Sequence, residues 1–487
     1  MVHHPDTPMT GHPHPLRRLA RWLDAPLPAP PEALRRGPMR PGRFTSAVRS
    51  PGLTSRLGIA LGVAFAVCFV TGVVSHLVQQ PPGWFWWPSR PVGLYRFTQG
   101  LHVATGLATV PLLGAKLWSV YPRLFTWPPI RSVAHAAERA SVAVLVAAAL
   151  FQVVSGVLNV ARWYAPMPFF FTSAHYWVAW LAVGALLTHI GVQLPVVRDA
   201  LAPDPAGPPR RGLPATGTAD PDRDEPAHEP TLDGRPAADA AEPDHEEPAH
   251  EPTLDGRPAA NTAEPDHHEP AHHGRPAAAA AGPDHGGLSR RGVLAAVGTA
   301  AGLITVTTVG QTVRPLSGLA VLAPRLPQVG PQGLPVNATA TGAGVAELVR
   351  DPGYRLALTG ARRSLSLDLP GLAALPQHTA DLPIACVEGW SASGRWTGVR
   401  LRDLVALAGD DPDDATVLVE SLQAGGRYRS TTVPPSHARD PLTLIALRLG
   451  GEPLHPDHGY PARLIAPNRP GVLQTKWVGR ITVLEVR

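Results

Sequence analysis

The side chain with the most distinctive chemistry in this sequence is the thiol of Cys386, which follows a short apolar run. Residues 382–387 predict a buried strand whose end places the thiol in a pocket. A thiolate there is a soft metal ligand or a nucleophile. The alternative is a packed core cysteine, because free cysteine is among the most buried residue types.

The residues around and after this cysteine resemble the molybdenum-cofactor domain of the sulfite oxidase superfamily. Four segments carry the resemblance: Ala-Cys-Val-Glu-Gly-Trp-Ser at 385–391 with Trp-Thr-Gly at 396–398, Pro-Leu-Thr-Leu at 441–444, His-Gly-Tyr-Pro-Ala-Arg-Leu at 458–464, and Lys-Trp-Val-Gly-Arg-Ile at 476–481. The resemblance covers about residues 337–487. It implies an oxidoreductase that carries molybdenum on a molybdopterin.

The resemblance also implies a role for individual residues. Cys386 would be the single protein ligand of molybdenum. The pterin contacts implied are Asn337, Ser421, His458, Arg463, Gln474, Thr475 and Lys476. An arginine and a lysine suit the terminal phosphate of the pterin, since Arg clamps phosphate with two hydrogen bonds and Lys meets it as a point charge. The alternative for each residue is fold support or a surface ion pair.

The residues after the cysteine bear on the substrate. Animal and plant sulfite oxidases have basic residues four and five positions after the cysteine, where this chain has Trp390 and Ser391. We therefore expect reduction of an S- or N-oxide, such as methionine sulfoxide in a small molecule or a protein. Oxidation of sulfite or another small substrate is the alternative, with Arg395, Arg427 or Arg429 folding over the site. We expect no immunoglobulin-like dimerisation domain after residue 487, unlike those oxidases.

The composition of the 487 residues differs sharply along the chain, and the part before the cysteine domain contains long apolar stretches. Apolar stretches at 53–78, 98–121, 139–160 and 174–197 approach the roughly 20 residues that a membrane span requires. Arginines cluster after the second stretch and after the fourth, which lie on the same side of the membrane, and positive loops are usually cytoplasmic. We therefore expect a cytoplasmic N-terminus. Only two cysteines are present, too few for a disulfide framework.

Four histidines, His76, His102, His175 and His189, lie within these spans, where ionisable groups are costly and usually functional. His102 is in the second span, and His175 and His189 lie in the fourth, about 21 Å apart along a helix. The pattern resembles the four-helix cytochrome b subunits of quinone-linked formate dehydrogenases and hydrogenases. That resemblance implies one or two b haems, the outer one on His102 and His175. In that family the inner haem also takes a histidine from the start of the first span, but residues 53–62 of this chain contain none. An inner haem on His189 would therefore need another ligand, for which we consider His135. The alternative is interfacial histidines that only bond backbone or water.

Two further segments join the membrane part to the C-terminal domain. Glu-Pro-Ala-His recurs with a period of 22 residues at 225, 247 and 269, in a stretch too poor in apolar residues to fold, so we expect a disordered linker. Ser-Arg-Arg at 289–291 precedes an apolar run and resembles a twin-arginine export signal placed before a fifth span. The alternative is ordinary positive flanking of a membrane helix.

These observations predict a multidomain chain: an α-helical transmembrane bundle of four spans plus a fifth anchor, and an α+β molybdopterin domain of the sulfite oxidase type. The boundaries are 1–52 for a basic cytoplasmic tail, 53–199 for the cytochrome b-like domain, 200–288 for the linker, 289–313 for the fifth span, 314–336 for a connector and 337–487 for the catalytic domain. Within the last, we expect strands near 354–359, 364–367, 416–420 and 480–486, and helices at 401–408 and 442–449.

The function predicted from the sequence is a multi-pass plasma-membrane enzyme with its catalytic domain on the outer face. Its partners would be the quinone pool or a membrane electron carrier and an S- or N-oxide substrate, with no nucleic acid. A non-catalytic electron-transfer or binding protein is the alternative of another class.

Overall fold

The computed structural model describes residues 29, 31–37, 40, 46, 48–126, 129–130, 132–201, 289–323, 325–326 and 328–484. A short helix, Glu32–Arg36, is the first element in these ranges. Most of the expected cytoplasmic tail and nearly all of the expected repeat linker lie outside the described residues.

Five long helices form the first part of the structure: α1 (Pro51–Gln79), α2 (Leu94–Val120), α3 (Val133–Val160), α4 (Phe171–Leu201) and α5 (Arg290–Val309). Serine side chains cap α1, α3 and α5 by accepting a backbone N–H three residues on, which explains where these helices begin. All five are long and apolar enough to cross a membrane. Their outer surfaces expose large apolar side chains, among them Trp177 at 69% and Leu187 at 64%.

The first four helices contact one another in a ring, α1 with α2 and α4, and α3 with α2 and α4. We call these four helices the bundle. The fifth helix lies against α2. Because the chain alternates direction, one end of the bundle contains the end of α1, the start of α2, the end of α3 and the start of α4. We call it the docking end.

The C-terminal domain contains two sheets. The first has the order β2–β1–β10–β5–β6, with β1 (Leu356–Thr359), β2 (Ser364–Leu367), β5 (Thr416–Ser421), β6 (Ser430–Val433) and β10 (Val478–Leu484). The second has the order β3–β4–β7–β8, with β3 (His378–Ala385), β4 (Ser391–Arg400), β7 (Leu444–Leu449) and β8 (Glu452–Pro453), while β9 (Arg463–Ile465) pairs with β7. Only β1 and β10 pair in parallel among these strands. Short helices α6 (Leu369–Ala374), α7 (Leu401–Leu407) and α8 (Pro435–Ala438) complete the domain.

The helix expected at 401–408 is confirmed as α7, but the helix expected at 442–449 is wrong. Leu444–Leu449 is strand β7, which is bonded to β4 on one side and to β8 and β9 on the other. A short continuous apolar run fits a buried strand as well as a buried helix. Here the position between other strands, with five of six residues buried, decided in favour of the strand.

The docking end of the bundle holds the C-terminal domain by specific bonds. Asn468 lies in that domain, yet its Oδ1 accepts the backbone N–H of Tyr95 at 2.6 Å in the first turn of α2. Its Nδ2 donates to the carbonyl of Pro88 at 2.7 Å. Residue Gly93, the N-cap of α2, has no side chain to cap the helix, so Asn468 supplies the missing acceptor from the other domain. A peripheral ion pair, Arg90 with Asp440 at 3.0 Å, joins the same surfaces.

We expect Asn468→Ala to weaken this contact, because capping residues contribute about 0.5–2 kcal/mol. Hydrogen exchange at residues 94–97 should become faster. Asn468 has a φ of 53°, a left-handed conformation that favours glycine. Asn468→Gly loses the same bonds without backbone strain, so stability should fall in the order wild type, glycine, alanine. Exchange at 94–97 that is unchanged in both variants would contradict a capping role.

Candidate functional site

A tight turn at residues 386–390 joins β3 to β4 and presents Cys386. The backbone N–H of Cys386 donates to the carbonyl of Trp390 at 2.9 Å, and that of Gly389 donates to the carbonyl of Cys386 at 3.1 Å. Gly389 has a φ of 92°, a conformation that other residues rarely adopt. The sequence therefore fixes this turn locally, at the end of the strand where the thiol was expected.

Cys386 is only 2% exposed, and burial, with the Glu388 carboxylate nearby, raises the pKa of its thiol well above its usual range. A reactive nucleophile requires the opposite shift, because the thiolate is the attacking species. A coordinated metal deprotonates a thiol outright. The environment therefore suits a metal ligand better than a free nucleophile.

Glu388 links the Cys386 turn to the bundle. Its Oε2 accepts from Trp390 Nε1 at 2.9 Å within the turn. Its Oε1 accepts from Arg162 Nε, just after α3, at 3.1 Å. Glu388 is 7% exposed, and the Arg162 guanidinium compensates its buried charge.

Two cations lie close together in the domain interior. Arg463 is 3% exposed, and burial lowers its pKa to about 9. Lys476 Nζ donates to the carbonyls of Ala338 and Asp457 at 2.7 and 2.8 Å. Burial, and then the charge of Arg463, lower the pKa of Lys476 to about 7. Among the described residues, no carboxylate forms an ion pair with either cation. Arg463 is a buried cation without a paired carboxylate, and Lys476 is a half-buried cation attracted by Asp457, so the pair suits an anion such as a phosphate.

Several polar atoms in the same domain are buried without a partner in the chain. Gln474 and Thr475 are 2% and 3% exposed. The unpaired atoms include Gln474 Oε1, Thr475 Oγ1, Arg463 Nε and Ser391 Oγ. Because buried polar groups normally have hydrogen-bond partners, this set fits a polar ligand larger than a single ion. The residues present therefore fit the pterin cofactor.

The three remaining pterin candidates have partners within the chain. His458 is buried, its Nε2 lies 2.7 Å from the carbonyl oxygen of Pro331, and burial lowers its pKa to about 4. Its ring is thus a neutral donor that supports the fold. Ser421 Oγ accepts from Gln423 N at 3.2 Å at the end of β5. Asn337 Oδ1 accepts its neighbour's N–H at 2.9 Å. Their contacts with the pterin stay predictions.

Asn337 also lines a cleft of about 590 Å³. Arg162 contributes to the same cleft and donates through Nη2 to the carbonyl of Asn337 at 3.2 Å. One arginine of the helical part therefore contacts both the Cys386 turn and the segment expected to contact the pterin.

Sequence reasoning missed Arg469, whose guanidinium is as buried as that of Arg463. Its Nη2 donates to Thr431 Oγ1 at 2.9 Å and to the carbonyl of Thr432 at 3.1 Å, and burial lowers its pKa to about 10. Reasoning also missed Arg162 and Asn468. No periodicity marks these residues, because their partners are distant in sequence.

In the bundle, the structure brings His102 and His175 together. Their ring centroids are 6.3 Å apart and their planes are nearly perpendicular, at 82°. His102 Nδ1 lies 2.8 Å from the carbonyl oxygen of Cys68, and His175 Nδ1 lies 3.1 Å from Ser155 Oγ. These bonds involve Nδ1 of each ring, the nitrogen that commonly bonds a neighbouring group when a histidine binds a metal through Nε2.

His189 lies 14 residues after His175 on α4, toward the opposite end of the bundle. In that region Gln193 Nε2 donates to Glu138 Oε1 at 3.2 Å, and Ser132 caps α3 at His135. A haem at His189, and His135 as its second ligand, stay predictions.

With this geometry established, comparison with known proteins assigns the C-terminal domain. Residues 343–487 match the family model described as the oxidoreductase molybdopterin binding domain. Sulfite oxidase of Rattus norvegicus is 32% identical over 157 residues, which cover 27% of this chain and 29% of that enzyme. The enzyme of Drosophila melanogaster is 30% identical over 156 residues, with 27% of each chain covered.

Nitrate reductase [NADH] 1 of Oryza sativa subsp. japonica is 37% identical over 107 residues, 19% of this chain and 12% of that enzyme. A solved structure, the sulfane dehydrogenase SoxCD from Paracoccus pantotrophus, aligns with 28% of this chain and 39% of that chain at 25% identity and a TM-score of 0.26, too low to support an argument. The matched segment thus spans about three tenths of the sulfite oxidases. The C-terminal domain is a molybdopterin-binding oxidoreductase domain, homologous to sulfite oxidases and nitrate reductases.

We expect Lys476→Met to lower molybdopterin retention by about 10–100-fold, the equivalent of one charge-assisted hydrogen bond. The matched control is Arg480→Met, which removes an exposed cation from β10. Cofactor released by denaturation and assayed by fluorescence gives the measurement. Equal retention in both variants would contradict a phosphate-binding role for Lys476.

The lowered pKa of Lys476 also predicts a pH dependence. In the cofactor-free protein the folded state releases this proton near pH 7, whereas the unfolded chain keeps it up to the ordinary value of 10.5. The unfolded state therefore binds more protons between these values, so stability rises with pH there. We expect cofactor-free Lys476→Met to be more stable than wild type at pH 6 and equal to it near pH 10.5. If thermal unfolding showed the same stability difference between Lys476→Met and wild type at every pH, the lowered pKa of Lys476 would be contradicted.

Proposed function

We propose that this protein is a membrane-anchored molybdenum-cofactor oxidoreductase that exchanges electrons with the quinone pool through b haem. The five apolar helices form its membrane part, and the C-terminal domain lies on the outer face at the docking end. Exposed tryptophans in the loops of that end, Trp84, Trp86 and Trp163, are typical of a membrane interface. The arginine clusters of the opposite loops suit the cytoplasmic side.

The observation that carries this proposal is the position of the Cys386 turn. The turn contacts the bundle directly: Val387 bonds Gln99 on α2, the helix that holds His102, and Glu388 bonds Arg162 just after α3. The turn that presents the proposed molybdenum ligand therefore packs directly against the bundle that contains the candidate haem site, within a single chain. This arrangement is suited to electron exchange without a separate carrier protein.

The chain's own residues have distinct tasks in this proposal. Cys386 holds the metal as a thiolate, Arg463 and Lys476 bind the pterin phosphate, and His102 with His175 hold a haem. When bound, the molybdenum cofactor supplies two-electron oxygen-atom transfer and haem supplies one-electron transfer. The buried surroundings of Cys386 exclude water from the site.

We favour reduction of an S- or N-oxide, such as methionine sulfoxide, with a quinol as the reductant. The balanced reaction is R₂SO + QH₂ → R₂S + Q + H₂O, in which the S–O bond breaks and the quinol gives two electrons and two protons. Trp390 is buried and bonded to Glu388, and Ser391 is buried. Neither supplies a cation for an anionic substrate.

The alternative is oxidation of sulfite or another small substrate, which the names of the homologous sulfite oxidases favour. Electrons would then flow to quinone, with SO₃²⁻ + H₂O + Q → SO₄²⁻ + QH₂ as the balanced reaction.

The test is metal analysis and a reduced-minus-oxidised spectrum of the full chain, purified in detergent from a host that makes molybdopterin. We expect nearly one molybdenum per chain and a b-type spectrum. Oxidation of the reduced protein by methionine sulfoxide, but no reduction of the oxidised protein by sulfite, supports the reductase. The reverse result supports the oxidase. Protein without molybdenum would be a non-catalytic electron-transfer or binding protein, and the proposal would be wrong.

A further inference from the structure

The carbonyl group of Val387, the residue after the molybdenum ligand, accepts hydrogen bonds from two helices of the bundle. Gln99 Nε2 on α2 donates to it at 3.1 Å, and Asn159 Nδ2 on α3 donates to it at 3.4 Å. We call these three groups the Val387 junction. A backbone oxygen of the Cys386 turn is thus held simultaneously by two elements that are separate in sequence.

Both amides of the junction are oriented by other side chains. Ser75 donates its hydroxyl to Gln99 Oε1 at 2.8 Å, and Tyr164 donates its hydroxyl to Asn159 Oδ1 at 3.1 Å. With the oxygens occupied, each NH₂ group is directed toward Val387. Gln99 and Asn159 are 4% and 5% exposed, so the junction is a buried and satisfied polar network, which rigidifies its surroundings.

The same two amides lie one helical turn from the histidine pair. Gln99 precedes His102 by three residues on α2, a spacing that places both on one face. Asn159 follows Ser155 by four residues on α3, and Ser155 is the residue that contacts His175 Nδ1. Each histidine therefore has a short connection to the same carbonyl.

A close packing contact supports the same arrangement. A Cβ added to Gly389 would lie 3.0 Å from both methyl groups of Val103, which is adjacent to His102 on α2. Only a glycine allows the Cys386 turn to approach α2 this closely. The hydrogen bonds of the junction are thus accompanied by close packing between the Cys386 turn and α2.

We propose that Gln99 and Asn159 are positioning residues that fix the Cys386 turn against the His102–His175 pair, with the Val387 carbonyl as the point of coupling between the two redox sites. This inference rests on the proposed function, in which each site holds its cofactor. It assigns the two amides a role that no periodicity or motif indicates. Electron exchange between the sites depends on the junction more strongly than chemistry at molybdenum does, because the junction joins the two sites.

The test uses Gln99→Met and Asn159→Leu, which keep size and remove the donors, singly and together. Arg90→Gln is the matched control, because it breaks the Arg90–Asp440 ion pair in the same interface but does not contact Val387. The first readout is hydrogen exchange of the peptide covering 386–390. We expect exchange about 10–100-fold faster in the double variant, because two hydrogen bonds that hold the turn are lost, and unchanged exchange in the control.

The second readout is kinetic. Oxidation of the pre-reduced haem by methionine sulfoxide, or its reduction by sulfite if the protein is an oxidase, should slow by about 10–100-fold in the double variant. Turnover with a soluble viologen or ferricyanide, which bypasses the haem, should fall by a clearly smaller factor than the haem-dependent rate.

If haem oxidation or reduction slowed equally in the double variant and in Arg90→Gln, the junction would only dock the domain, and the proposal would be wrong. Hydrogen exchange and haem kinetics that are both unchanged in the double variant would also overturn it. A wild-type protein without haem or molybdenum would instead overturn the proposed function, and the inference with it. Loss of the junction alone leaves both cofactors bound, so the two failures are distinguishable.

Discussion

Replacing Cys386 with alanine is expected to abolish catalysis and to remove most of the molybdenum, while the haem spectrum stays that of wild type. The thiol is the single protein ligand implied for the metal, and outer-shell partners alone account for about 10–100-fold in affinity or activity, so the loss should exceed about 100-fold. Metal analysis and turnover with an artificial electron donor measure it.

The matched control is Cys68→Ala, which removes the other thiol of the chain. Cys68 Sγ lies 3.5 Å from His102 Nδ1 in the bundle, far in sequence from the Cys386 turn. We expect this variant to keep wild-type molybdenum content. Molybdenum bound equally by Cys386→Ala and wild type would mean that the buried thiol is a core cysteine and not a ligand.

Replacing His175 with alanine is expected to remove the haem that we propose between α2 and α4, and to slow electron exchange between substrate and quinone analogue by more than about 100-fold. Its ring faces His102 and has its own outer-shell partner in Ser155. Reduced-minus-oxidised spectroscopy and quinol-dependent turnover measure the effect, while viologen-dependent turnover should be unaffected because the molybdenum site is intact.

His76→Ala provides the control for this variant. His76 lies at the docking end of α1 and stacks on Tyr176 with ring centroids 3.7 Å apart, so it is a histidine of the bundle outside the pair. Its loss should leave the haem spectrum unchanged. A spectrum that survives in His175→Ala, or that disappears equally in His76→Ala, would refute the assigned ligand.

Local patterns were sufficient for much of the architecture. Five apolar runs predicted the five long helices, and the residues around Cys386 predicted a strand ending at the thiol, because length, apolar character and small turn residues act within a few positions. The strand β7 shows where such reasoning fails. Its apolar sequence suits either structure, and hydrogen bonds to β4 and β9 made it a strand.

The candidate site divides in the same way. The sequence predicted Cys386, Arg463 and Lys476 from a recognisable motif, and in the structure Cys386 and Arg463 are buried and Lys476 is half-buried, while their cofactor roles stay predictions. The sequence alone could not distinguish the buried Arg469 from a surface arginine. Burial of a charge depends on what surrounds it in three dimensions, which no neighbouring residue indicates.

By itself, the sequence determined the membrane-length helices, the cysteine turn and the cations that suit a phosphate, since each depends on residues close together in the chain. Only the tertiary structure decided that Gln99 and Asn159 meet Val387, that Arg162 meets Glu388 and that Asn468 caps α2. Gln99 and Val387 are 288 residues apart. Their contact arises from the packing of two separately formed parts, and the energy of that packing is spread over side chains whose pairing no local pattern encodes.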